Sequence, residues 1–329
     1  MRSSALIGTG SYLPDKILTN FDLEKMVDTS NEWILKMTGI SERRIANEEM
    51  ATSDLSIRAA RRAIKSADVD PFEIDMIIVC TATPDSAFPS TACSVQDGIG
   101  AKNAVSFDLS AACSGFVYGL DLADGMIKSS RYDTILVIGA EIFSRIVDWE
   151  ERSTCVLFGD AAGAAVIQVS EEPGTGILAS YCGADGAYAD AGLLGVPAGG
   201  SRMPANAVTV DRKLHTVKMR GQEVFKLAVR IMPEAAQKAL DVAGVSIDQV
   251  DLVIPHQANS RIIEAVVDRI GIDPKKMYVN VNQYGNTSAA SVIVALDEAI
   301  REGYAKTGDL VLLTVFGAGL TWGSTLLRL

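Results

Sequence analysis

The sequence predicts an α/β protein built from two similar halves, stacked as alternating layers in the order α-β-α-β-α. Three observations carry this expectation. The 329-residue chain aligns on itself at an offset of 176 residues: Ala60, Ala63, Ala67 and Val69 fall on Ala236, Ala239, Ala243 and Val245, Asp75 and Ile78 on Asp251 and Ile254, and Leu120-Asp121 on Leu296-Asp297. Similarity at a constant register marks a repeated structural unit. Short apolar runs alternate with helix-period segments, as strands buried on both faces require. One helical stretch in each half is rich in Ala, Ser and Gly, small enough for a helix to lie between two sheets.

The elements follow in order within each half. An amphipathic helix (about 54–67 and 224–243) precedes an apolar strand (about 75–80 and 251–255) and a second helix (about 90–99 and 259–270). A further strand (about 104–108 and 277–281), the small-residue helix (about 113–128 and 287–302) and a third apolar strand (about 134–139 and 310–315) complete the unit. The Gly-, Ala- and Pro-rich segment from about 171 to 220 reads as the connection, dividing the chain into halves 1–172 and 173–329.

Composition narrows the function. With 48% hydrophobic and 22% charged residues the chain is globular. A net charge of -11 and a pI near 4.8 argue against nucleic acid as a partner, because phosphate neutralisation needs a concentrated basic face. No apolar run approaches the length of a membrane span and no signal-peptide pattern opens the chain, so a soluble, cytoplasmic protein is expected. The five cysteines, an odd number, do not suggest a disulfide framework. Only His215 and His256 are present, without metal-ligand spacing, so no metal is expected. Gly8-Thr9-Gly10 imitates the start of a dinucleotide fingerprint, but Leu13-Pro14 follows and no helix opens there.

In α/β sheets, ligands gather beyond the carboxyl ends of strands. Cys113, in Ser110-Ala111-Ala112-Cys113-Ser114-Gly115, follows a strand and starts a helix, where the helix dipole and free N–H groups favour a thiolate. His256, in Pro255-His256-Gln257-Ala258-Asn259, follows another strand; it is read either as a structural histidine or as part of a polar site. Asn286, after Gly285, occupies the turn that corresponds in the second half to the cysteine turn, as a cap, a catalytic group or both. His215 is expected on a strand face near solvent.

These residues, with Ile7-Gly8-Thr9-Gly10-Ser11-Tyr12-Leu13-Pro14, Asn31-Glu32-Trp33-Ile34, Leu157-Phe158-Gly159-Asp160, Gly285-Asn286-Thr287-Ser288-Ala289-Ala290-Ser291 and Phe316-Gly317-Ala318-Gly319, resemble the 3-oxoacyl-[acyl-carrier-protein] synthases of type III over essentially the whole chain. The resemblance implies a thiolase-like fold and a homodimer that starts fatty-acid chains. An acyl-CoA primer is transferred to Cys113 and condensed with malonyl-acyl carrier protein, with no cofactor beyond the coenzyme A thioester that serves as substrate. His256 and Asn286 would bind the malonyl thioester oxygen, and the backbone N–H groups of Cys113 and Ala318 would form an oxyanion hole. Trp33 and Arg152 match groups that grip the adenine end of coenzyme A. Gly221, Lys226 and Arg261 belong to the tunnel and its mouth, Phe225 and Asn259 to its lining, and Leu157 to the acyl pocket. Phe88 matches a residue reaching into the partner's acyl pocket. Met37 and Gln222 depart from the pattern, replacing an arginine and an asparagine, with Lys36 as a substitute cation. Carrier docking is expected on Lys226 and Arg261 within a cluster that also holds Arg212, Lys213, Lys218, Arg220 and Arg269. The alternative is a relative that transfers acyl groups in secondary metabolism. Papain-like proteases lack the duplicated pattern, degradative thiolases need a second cysteine near the C-terminus, and elongating synthases need a second histidine.

Overall fold

A computed structural model describes residues 2–329. Its main elements are β1 (Ser3–Tyr12), α1 (Asn31–Thr38), α2 (Thr52–Ala67), β2 (Met76–Cys80), α3 (Thr91–Ile99), β3 (Val105–Leu109), α4 (Gly115–Lys128), β4 (Thr134–Ile142), β5 (Asp160–Ser170), β6 (Gly176–Ala184), α5 (Gly221–Ala243), β7 (Leu252–Pro255), α6 (Ser260–Ile270), α7 (Ser291–Arg301), β8 (Leu310–Gly317) and β9 (Thr321–Arg328). They form a five-stranded sheet, β1-β5-β4-β2-β3, and a four-stranded sheet, β7-β8-β9-β6. Both sheets are mixed: β2 pairs parallel with β3 and β4, and β7 pairs parallel with β8, while the remaining neighbours are antiparallel.

The layers follow from which faces are apolar. Ile78, Val137 and Ile167 of the first sheet, and Ile254, Leu313 and Leu327 of the second, close on Phe116, Leu120, Ile293 and Leu296 of the sandwiched helices α4 and α7. The outer face of the first sheet is covered by α2 and α3, and that of the second by α5 and α6. Small residues are needed in the middle. A Cβ on Gly139 would lie 2.3 Å from the Ala289 carbonyl oxygen, and one on Gly119 would lie 2.8 Å from Cys80 Sγ.

The duplication holds to the level of single hydrogen bonds. The Asp75 amide donates to the Thr134 carbonyl while the Thr134 amide donates to the Asp75 carboxylate; Asp251 and Leu310 repeat both bonds one offset later. Ala112 and Ser288, also one offset apart, share the left-handed backbone (φ 46° and 50°), unfavourable for a residue with a Cβ.

Three expectations change. The strand expected at about 277–281 is reduced to one bridge, Val253 with Met277, so the second sheet lacks the counterpart of β3. The segment 171–220 is more than a connection: β6 lies within it and forms the edge of the second sheet through an antiparallel ladder with β9. His215 is exposed but sits in a turn. The glycines of Gly8-Thr9-Gly10 have a packing role, because Cβ atoms there would meet the α2 backbone at 2.5 Å (Ala67 N) and 2.4 Å (Ala63 N).

Candidate active site

The carboxyl ends of β2, β3, β4, β7 and β8 converge on one cavity of about 720 Å³. Cys113, His256 and Asn286 all line it, with Trp33, Leu157, Gly221, Phe225, Lys226, Asn259, Arg261 and Ala318. Residues far apart in sequence meet because the two halves present equivalent ends of their central layers to each other.

Cys113 lies in a short 3-10 turn that runs directly into α4 and is buried, 7% exposed. Burial pushes its thiol up to about 12, against the expectation of a thiolate at a helix N-terminus. Removing the sulfur anion from water outweighs the helix dipole here, and the Glu141 carboxyl nearby adds to the upward shift. The cysteine therefore rests as a thiol and must give up its proton as it attacks.

Gly317, at the end of β8, is packed against the turn that holds the cysteine. A Cβ on it would sit 2.9 Å from Cys113 N and 3.0 Å from Ser114 N. Thr321 joins the two turns: its hydroxyl lies 3.0 Å from both the Ala111 and the Ala318 carbonyl oxygens.

His256 is buried, and burial lowers its pKa to about 4, so the imidazole is neutral at physiological pH. Its Nδ1 lies 2.7 Å from Ser291 Oγ, which leaves Nε2 for the cavity. A hydroxyl partner both donates and accepts, so Ser291 is compatible with either tautomer of the ring.

Asn286 is fixed by its backbone and by its side chain. Its amide donates to the Leu157 carbonyl at 2.8 Å, and its carbonyl accepts from Gly159 N at 3.1 Å. Oδ1 accepts the Ser288 N–H at 2.8 Å, an Asx turn that sets the amide orientation. Nδ2, a donor, is the end left for the cavity. The turn function and a donor role coexist in one residue.

Around the mouth the expected groups behave differently from one another. The Arg152 guanidinium stacks 4.7 Å from the Trp33 ring and donates to the Asp28 carbonyl. Arg261 lies over Phe225 at 5.9 Å, with Nη1 3.9 Å from Met37 Sδ. Asn259 lines the wall, but its polar atoms are engaged: Oδ1 caps α6 through Arg261 N, and Nδ2 donates to the Met37 carbonyl. Phe88 is 85% exposed and does not line the cavity of its own chain.

The basic cluster is smaller than its count of charges. Lys213 pairs with Asp148 and Glu150, Lys218 with Glu151, and Arg220 with Asp190 and Glu223. Arg269 has an internal task. Pro233 sits inside α5 and has no N–H for the Val229 carbonyl, and Arg269 Nη1 donates to that carbonyl at 3.1 Å. Lys226 and Arg261 form no ion pair among the described residues.

Sequence reasoning assigned no role to Ser291, Thr321, Glu141 or Arg43. Ser291 and Thr321 stand within or beside motifs that were recognised. Glu141, fully buried at the end of β4, accepts from the Thr83 hydroxyl at 2.7 Å and from the amide of Ala82, a cavity residue; burial raises its pKa to about 7. Arg43, also fully buried, donates to the Val156 carbonyl behind the cavity wall at 2.8 Å. Only a periodicity broken by a polar residue could have flagged either. All five cysteines are free thiols, and among the described residues no cluster of His, Cys, Asp or Glu is placed to hold a metal. No helix of the described residues is long and apolar enough to cross a membrane.

Five layers of thiolase-like architecture enclosing a cysteine, a neutral histidine and a donor asparagine define an acyl-transferring, condensing enzyme. Comparison with known proteins gives the particular kind. Family models described as 3-oxoacyl-[acyl-carrier-protein] synthase III match residues 107–186, and the corresponding C-terminal model matches residues 240–329. The chain is 56% identical over 326 residues to the beta-ketoacyl-[acyl-carrier-protein] synthase III of Caldanaerobacter subterraneus subsp. tengcongensis, covering 99% of this chain and 98% of that protein. It superposes on the crystal structure of 3-oxoacyl-[acyl-carrier-protein] synthase III from Aquifex aeolicus with a TM-score of 0.91 at 51% identity, covering 99% and 100% of the two chains. A priming beta-ketosynthase of a polyketide pathway gives a TM-score of 0.92 at 37% identity, covering 100% of this chain and 96% of that one. The chain belongs to the 3-oxoacyl-[acyl-carrier-protein] synthase III family. It is an acyltransferase that initiates condensation in type II fatty-acid synthesis.

Proposed function

We propose that Cys113 carries the primer acyl group from an acyl-CoA and that His256 and Asn286 then drive decarboxylative condensation with malonyl-acyl carrier protein. The observation that carries this is the convergence of the three side chains on one cavity, with Nε2 and Nδ2 as their free ends. In the first half-reaction the Cys113 sulfur attacks the primer thioester, and the coenzyme A thiolate leaves. The thiol proton passes to that departing thiolate as the sulfur attacks, while His256 stays neutral with its own proton on Nε2. In the second, the malonyl carboxylate leaves as carbon dioxide, and the electron pair moves onto the thioester oxygen, held by N–H groups of His256 and Asn286. The enolate carbon attacks the acyl carbonyl. Its oxygen, negative in the tetrahedral intermediate, lies between the amides of Cys113 and Ala318, and collapse expels the cysteine thiolate, which regains a proton from solvent.

Large rings in the lining, with Phe143 stacked 4.6 Å from Phe158, support a short primer such as acetyl. The Trp33–Arg152 stack supports an adenine site at the mouth, and the unpaired cations Lys226 and Arg261 support carrier docking there. Intact-protein mass spectrometry after incubation with acetyl-CoA should show one acetyl group added, and the Cys113→Ala variant should show none. A folded parent protein that stays unlabelled by acetyl-CoA and by longer acyl-CoAs would remove the proposal.

We read the active form as a cytoplasmic homodimer. The outer edge of β3 is unpaired, Val105 on it is half exposed, and Phe88 stands free with no role in its own chain. Sedimentation equilibrium should return twice the chain mass at micromolar concentration; a monomer there would reject this reading.

A further inference from the structure

The Glu298 carboxylate of α7 grips both ends of the turn that delivers Asn286. One oxygen accepts from Asn280 Nδ2 at 2.7 Å and the other from the Tyr284 hydroxyl at 2.5 Å. Residues Val281–Tyr284 form a single helical turn between these two anchors, and Gly285 and Asn286 follow at once. All three partners are buried: Glu298 is 6%, Asn280 3% and Tyr284 8% exposed. Burial, together with the bond to Glu298, raises the pKa of the Tyr284 hydroxyl and keeps it protonated and donating.

The duplication shows that the fold itself does not require this carboxylate. One offset earlier, the sandwiched helix α4 carries Leu122, an apolar residue packed against the same core. Tyr284 corresponds to Asp108, whose carboxylate instead accepts from the first amides of α3. The first half thus completes the same helix with no acid at this position, and it delivers no side-chain amide donor to the cavity. The acid occurs in the half that must hold Asn286.

We infer that Glu298 is a positioning residue for the condensation step, acting through Asn280 and Tyr284 to hold Asn286 Nδ2 where the enolate oxygen forms. The inference rests on the role proposed for Asn286. The histidine side of the site meets this turn through backbone amides and not through the side chains that Glu298 grips. Gln257 Oε1 accepts from the amides of Asn280 and Val281, and its Nε2 donates to the Pro255 carbonyl, while His256 has its own bond to Ser291. Loosening the Glu298 clamp should therefore spare the acylation of Cys113.

The two half-reactions separate the outcomes in the full-length protein. Acyl-enzyme formation from acetyl-CoA is followed by quenched mass spectrometry, and condensation kcat is measured with malonyl-acyl carrier protein. Glu298→Ala should leave acylation within about threefold of the parent and lower condensation about 10- to 100-fold, the scale of a misplaced catalytic group. Glu298→Gln should recover most of that loss, since its carbonyl still accepts from Tyr284 and its amide pairs with a turned Asn280. Should Glu298→Ala not fold, Tyr284→Phe, which deletes one hydroxyl, carries the test with the same split and a loss of about 3- to 10-fold. Equal losses in both half-reactions, or undiminished condensation in a folded variant, would overturn the inference. Asn286→Asp run alongside distinguishes the two failures. If that variant condenses normally, the role of Asn286 falls and the inference with it; if it is inactive while Glu298→Ala is fully active, the inference alone falls.

Discussion

Asn286→Asp should lower condensation by about three orders of magnitude while leaving Cys113 acylation largely intact. The substitution is nearly isosteric. Its Oδ1 still accepts the Ser288 N–H that fixes the turn, and its backbone still bonds Leu157 and Gly159, so the fold has no reason to change. What changes is the atom facing the cavity. A donor becomes an acceptor carrying negative charge, placed where the malonyl thioester oxygen gains charge as carbon dioxide leaves. Losing one such donor typically costs about 3 kcal/mol, and the repulsion adds to it. Malonyl-carrier decarboxylation measured beside single-turnover acylation tests the split. A variant that decarboxylates at the parent rate would exclude Asn286 from the chemistry.

The Gly317→Ala variant should fail at the other half-reaction, with Cys113 acylation reduced at least 100-fold and the thermal midpoint only modestly lowered. A methyl group there meets Cys113 N at 2.9 Å and Ser114 N at 3.0 Å, closer than non-bonded atoms tolerate, and both are backbone atoms that cannot swing away. Either the cysteine turn or the end of β8 must shift. Each shift moves one of the two amides, Cys113 and Ala318, between which the thioester oxygen is to lie. Burst-phase acylation kinetics read this directly; a variant with a normal burst would show that the oxyanion site lies elsewhere.

Much of this site was legible in the chain, for identifiable reasons. The offset of 176 survives because residues facing the sheets are tightly constrained: Ala60 and Ala63 of α2, and Ala236 and Ala239 of α5, are fully buried against the outer sheet faces. Cys113 and His256 stand just past strands, where apolar runs stop abruptly, and Asn286 stands in the turn that the duplication pairs with the cysteine turn. What stayed hidden depends on contacts across layers. Nothing local in Glu298 or Glu141 tells that the hydroxyls and amides surrounding them come from other segments. Charge counting overvalued Arg269 and Lys213, because their partners, the Val229 carbonyl left open by Pro233 and the carboxylates of Asp148 and Glu150, lie far along the chain. The thiol of Cys113 was misjudged because a helix start is visible in sequence and desolvation is not. The strand expected near 277–281 keeps a single bridge because Val281 already begins the helical turn that leads to Asn286.

The matching left-handed residues, Ala112 and Ser288, have a consequence for how the molecule divides its labour. Both halves build the same strained seat, yet the next residue is Cys113 in one and Ala289 in the other. A chain descended from two equal copies would once have presented two identical seats face to face. Here one half carries the sulfur, and the other carries the imidazole and the amide proposed to act beside it. On the proposed roles, neither half is a smaller version of the enzyme: cleavage between β5 and β6 followed by separation should yield one fragment with a nucleophile and nothing to activate its second substrate, and another with the activating groups and nothing to hold an acyl chain.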